Sequence, residues 1–94
     1  MTDFEVPLDL RIIYLRRRVE EFPALDAELT LGVFELAKKI GHQVKGNAAT
    51  FNFPSLTDLG IGLEEAAKSE NKAAALKISQ EMKILTENLL KELT

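Results

Sequence analysis

Apolar positions recur at steps of three and four along nearly the whole chain, and no stretch alternates with the period of two that a half-buried strand requires. The pattern predicts an all-α protein. Breakers divide it into four segments: about Leu8 to Phe22 ahead of Pro23, about Thr30 to Phe51, Ser55 to Lys68, and Lys72 to Leu93. The connections are only a few residues long, which favours antiparallel neighbours. The expected architecture is an antiparallel up-and-down four-helix bundle, one domain over residues 1–94.

Each segment carries a stripe suited to a bundle seam. The first has Leu8, Ile12, Leu15, Val19 and Phe22; the third has Leu56, Leu59, Gly60, Leu63 and Ala67; the fourth has Ala75, Ile78, Met82, Leu85 and Leu89. Ser55 with Asp58 three residues on resembles a capping box at the start of the third helix. Gly60 lies on the apolar stripe, where it would permit close helix approach, whereas the pattern gives no reason for Gly62.

The second segment departs from a plain seam. On a wheel of about 100° per residue with His42 at zero, Val33, Leu36, Ala37, Ile40, Val44, Ala48 and Phe51 fall within about 60° of the opposite direction. The single histidine of the chain therefore points away from the core. Glu35, Lys38, Lys39, Lys45, Gly46 and Ala49 share its side. Neighbouring cations favour a neutral imidazole, the nucleophilic form, and Lys45 with Lys38 is placed to neutralise charge on a group the ring acquires. Gly46 and Ala49 strip bulk from the surface beyond His42, and a mid-helix glycine sacrifices about 1 kcal/mol of helix propensity with no core contact in return. Access by another protein accounts for it. The residues alone leave two readings open: an exposed nucleophile, or a surface histidine with lysines beside it by coincidence.

Composition narrows the chemistry. The chain has 94 residues, is 46% hydrophobic and 29% charged, and carries a net charge of −3. That is an ordinary globular composition without the basic footprint of a nucleic-acid binder. With no cysteine and one histidine, a metal site held by this chain alone is not expected. No apolar run approaches the roughly 20 residues needed to span a bilayer, and the first ten residues lack signal-peptide character, so a cytoplasmic protein is expected. A bundle with one filled core is expected to be a monomer.

The stretch from His42 to Ala66, HQVKGNAATFNFPSLTDLGIGLEEA, resembles the signature of histidine-containing phosphotransfer domains, the HPt family of multistep phosphorelays. His42, Val44, Lys45, Gly46, Ala48, Ala49, Phe51, Leu56, Leu63 and Glu64 occupy the family's places, and only Asn52 departs, standing where a glycine is usual. Asparagine tolerates a left-handed backbone, so the helix end there is expected to survive. The resemblance implies a phosphocarrier with no independent turnover and no cofactor of its own. His42 would take a phosphoryl group from a receiver-domain aspartate and pass it to another receiver, Lys45 would steady the phosphoryl oxygens, and Gly46 would admit the partner. The implied partners are receiver domains of response regulators or a hybrid histidine kinase, with magnesium on the receiver only. A docking module that is never phosphorylated is the rival reading.

On the first helix, Leu10, Ile13, Tyr14 and Arg17 cluster opposite the core stripe, an interface-like composition expected to form part of the docking surface. Ile61 and Glu64 project from the third helix away from its stripe and are expected to border the site, Glu64 as a solvent-facing charge. Arg16, Arg17 and Arg18 point in different helical directions, so a solvated face with salt bridges to Glu20 or Glu21 is expected rather than a nucleic-acid surface.

Overall fold

The computed structural model describes residues 6–94. Its elements are four helices: α1 (Leu8–Thr30), α2 (Glu35–Asn47), α3 (Pro54–Lys68) and α4 (Lys72–Leu93), joined by short turns into the expected bundle. α2 packs most extensively on α3, α4 bridges α3 and α1, and α1 touches α2 only slightly.

The expected end of the first helix at Phe22 is corrected: α1 continues through Pro23 to Thr30. Proline removes one intrahelical hydrogen bond and commonly kinks a helix. Here Phe22, Leu25 and Leu29 carry the buried stripe across it, and their burial holds the next two turns in register. The stripe is also rotated from the expected one. Tyr14 and Arg18 are buried on it, Ile12 and Val19 sit at its edge, and Leu8 is 53% exposed. Residues expected to begin the second helix instead form the α1–α2 turn, where Gly32 adopts φ +77° and Val33 donates its N–H back to Glu28 O at 2.8 Å. A left-handed residue followed by that long return bond is a Schellman stop, and glycine meets its backbone demand without strain.

The same device ends the α2 region. Residues 48–52 turn, Asn52 takes φ 67°, and Phe53 N–H donates to Ala48 O at 2.9 Å. Asn52 thus adopts the left-handed backbone expected of it, five residues after the regular helix has ended at Asn47. The capping expectation for α3 is not met: Phe53 is the N-cap, Pro54 opens the helix, and no side chain caps it. α4 is capped by Asn71, whose side chain accepts from Ala74 N–H at 3.0 Å.

Two glycines set the spacing of α2 and α3. A Cβ on Gly41 would stand 2.6 Å from the Glu64 backbone nitrogen and 2.8 Å from Gly60 O; one on Gly60 would stand 2.8 Å from the Lys45 nitrogen. The helices meet backbone to backbone, as expected of Gly60. Gly62 sits more loosely, with a Cβ 3.3 Å from Ile78 Cδ1 on α4.

α1 is fastened to the α2–α3 turn by polar and aromatic contacts. Tyr14 Oη donates to Asn47 Oδ1 at 2.7 Å, and its ring stacks on Phe51 with centroids 4.5 Å apart. Arg11 donates to Phe51 O at 3.0 Å and lies over the Phe53 ring. Arg18 pairs with Glu21 at 3.0 Å, one of the salt bridges anticipated for the arginine run, but the solvated face expected there is corrected for Arg18, which is buried. Burial pushes the Glu21 carboxyl above its ordinary range, while the Arg18 and Lys39 cations pull it down.

Gly41→Ala is therefore expected to lower stability by about 1–3 kcal/mol, the cost of overpacking, and Gly46→Ala, whose Cβ would meet nothing within 4 Å, to raise it by up to about 1 kcal/mol. Urea unfolding of the two variants beside wild type checks both signs.

Candidate functional site

α2 buries Ala37, Ile40, Gly41 and Val44 and turns its opposite face outward. His42 lies on that face with its side chain 70% exposed, as the wheel predicts. Val33 is 43% exposed in the preceding turn and so is not part of the α2 core face. Gly46 and Ala49 are exposed beyond His42, but the mid-helix reading of Gly46 is corrected: it lies in the last turn of α2, which ends at Asn47 rather than Phe51, and Ala49 lies in the turn that follows.

The Glu64 carboxylate lies beside the imidazole. Its Oε2 is 3.0 Å from His42 Nδ1, its Oε1 is 2.8 Å from Lys45 Nζ, and Lys68 Nζ lies 3.6 Å from Oε2. This corrects the expectation of a solvent-facing Glu64, which is 7% exposed. Gly41 and Gly60 bring α3 so near that a residue at the stripe's edge is covered by α2. It also corrects the electrostatics: the ring's nearest charged neighbour is an anion from another helix, and Lys45 is engaged with that anion. The signal lay in Gly41 beside the histidine and in Gly60, one turn before Glu64.

The hydrogen bond from Lys45 does most to hold the Glu64 carboxyl below its usual range; burial opposes it, and the His42 bond and the Lys45 and Lys68 charges reinforce it. Glu64 is thus a carboxylate near neutral pH and can only accept hydrogen bonds. The proton between it and His42 must sit on Nδ1, which leaves the lone pair of a neutral ring on Nε2. An exposed imidazole oriented in this way can attack an electrophile through Nε2 while Nδ1–H stays tied to an anion.

The other candidates divide. Lys38 is tied to Glu35 at 3.3 Å on the exposed face. Leu10 and Ile13 are 46% and 45% exposed, and Arg17 is exposed, as an outer surface requires. Tyr14 is corrected: at 6% exposure it is buried under them against Phe51. Ile61 is half-buried on α3. Among the described residues, no three His, Cys, Asp or Glu side chains cluster in a way that could hold a metal ion.

A family model described as Hpt domain matches residues 9–93, nearly the whole chain. The chain belongs to the Hpt domain family. No curated protein and no solved structure matches it. Hpt domains are phosphocarrier modules of phosphorelay signalling that act through histidine phosphotransfer and interact with receiver domains, and this chain carries that type of domain. Among the described residues no helix is long and apolar enough to cross a membrane.

The bond to Glu64 is testable by nitrogen NMR. The His42 ring of the wild-type Hpt domain is expected in the Nδ1–H tautomer, with Glu64→Gln giving a mixture. Because the folded pKa of Glu64 lies below its unfolded value, the unfolded chain takes up the proton first on acidification. The stability advantage of wild type over Glu64→Gln is therefore expected in full above the ordinary carboxylate range and lost as pH falls through the lowered folded pKa. Denaturant titrations at stepped pH read this directly.

Proposed function

We propose that the chain is a phosphorelay intermediate in which His42 accepts a phosphoryl group from the aspartyl phosphate of one receiver domain and passes it to another. The observation that carries this is the exposed imidazole whose Nδ1 is held by the buried carboxylate of Glu64. In the forward step the Nε2 lone pair attacks phosphorus, the N–P bond forms, and the P–O bond to the receiver aspartate breaks with its electron pair, releasing the carboxylate. The ring becomes cationic with Nδ1–H still bonded to Glu64, whose charge offsets the new one. The second transfer reverses these events on another aspartate.

Lys45 has three ammonium hydrogens and uses one on Glu64, so it can reach the phosphoryl oxygens without releasing that carboxylate. Lys38 is the second cation; its exposed bond to Glu35 holds it weakly. Gly46 and Ala49 leave room for the receiver, and Leu10, Ile13, Arg17 and Ile61 form the surrounding docking surface. Magnesium and the carboxylates that bind it belong to the receiver, and the domain turns over no substrate by itself.

The decisive experiment mixes the purified domain with a magnesium-activated, phosphorylated receiver. Acid-labile, alkali-stable phosphate is expected on the wild type and absent from His42→Gln; no label from any of a panel of receivers would leave a docking module. Gly46→Ala is expected to slow transfer although it stabilises the fold, because its methyl group occupies the approach.

A further inference from the structure

The four arginines of this chain all lie between positions 11 and 18, on the outer and inner edges of α1, and the other eight basic residues are lysines. Arginine is the residue suited to gripping a carboxylate by two parallel hydrogen bonds. Two of the four are committed. Arg11 holds the α2–α3 turn, and Arg18 holds Glu21 through Nη2. Arg16 and Arg17 are exposed and pair with no carboxylate among the described residues.

Arg17 stands at a cup of about 360 Å³ between α1 and the end of α2. Leu10 and Ile13 flank it, Tyr14 and Phe51 line it, and Arg18 and Asn47 complete its wall. Donors without a carboxylate partner are left over there. Asn47 uses its amide oxygen on Tyr14, which leaves its NH₂ group free to donate. Arg18 Nε and Nη1 lie buried behind the cup wall without a partner, adding positive charge there and not an exposed donor. Glu21 balances the Arg18 charge and does not line the cup, so the charge of Arg17 remains uncompensated. A cup with an apolar lip, donors in its wall and one free positive charge complements an acidic side chain with an apolar neighbour.

Its place says who presents that side chain. Asn47 directly follows Gly46 and lies five residues beyond His42, about 7.5 Å along the helix axis. A standard protein interface covers about 800 Å² on each partner, so a domain that reaches His42 across Gly46 also covers this cup. We propose that the cup binds a carboxylate side chain of the receiver, flanked by an apolar one, and that this contact selects among receivers. The inference rests on the phosphocarrier reading given above. Receivers with a basic or neutral residue at the contact are poor partners.

The test uses a receiver that phosphorylates the wild-type domain, and follows the second-order rate of transfer to His42. Arg17→Glu is expected to lower it by at least about tenfold, with the deficit shrinking as salt is raised. Lys83→Glu, the same charge change on α4, is expected to leave it unchanged. An acidic-to-arginine change at the matching surface position of the receiver is expected to restore transfer to Arg17→Glu. Chemical labelling of His42 by phosphoramidate reads the imidazole without a receiver. If Arg17→Glu transfers at the wild-type rate while Ile13→Asp does not, the surface is apolar only and the proposal is overturned. Equal losses of transfer and phosphoramidate labelling in Arg17→Glu also overturn it, because the defect then lies in the fold or the ring. If no receiver phosphorylates the wild type while phosphoramidate does, it is the phosphocarrier reading that fails.

Discussion

The backbones of α2 and α3 touch where Gly41 faces Glu64 and Gly60 faces Lys45, with no room at either glycine for a single additional methyl group. That contact fixes how far the Glu64 carboxylate stands from the imidazole, and a hydrogen bond of 3.0 Å tolerates little error. Separating the helices by the width of a side chain would leave His42 as exposed as before but without a partner at Nδ1. The reactive nitrogen is thus defined by a packing constraint on the inner side of the same helix.

Glu64 also ties the site's charges together. One buried carboxylate meets His42, Lys45 and Lys68, three groups from two helices, so its own burial is offset by several partners. A cation formed on the ring during phosphoryl transfer would therefore meet an anion already in place, with no reorganisation at the moment of reaction. α1 has a different relation to this site. It is joined to the α2–α3 turn through Tyr14, Arg11 and stacked aromatic rings, and it leaves Leu10, Ile13 and Arg17 exposed beside the end of α2. A helix held in this way presents a surface without crowding the histidine.

Period alone identifies four helices, their order and most of the core, because burial of an apolar stripe is the largest force on a short amphipathic segment. It also turns His42 outward, since Leu36, Ala37, Ile40 and Val44 take the other side of the same helix. Helix ends are less legible. Pro23 reads as a stop because it breaks a local hydrogen bond, yet the packing of Phe22, Leu25 and Leu29 outweighs that loss. The start of α2 moves for the opposite reason: local turn chemistry at Gly32 prevails over an apolar periodicity that runs back to Val33.

By itself, then, the amino-acid sequence determined the fold class, the outward histidine and the open surface at Gly46, each a property of one helix read along its own axis. The tertiary structure alone decided that Glu64 is buried, that it holds Nδ1 of His42, and that Tyr14 lies beneath the surface of α1 rather than on it. Those facts depend on the distance and rotation between helices. A periodic pattern records which side of a helix is buried, whereas the small residues at a crossing decide what that side meets.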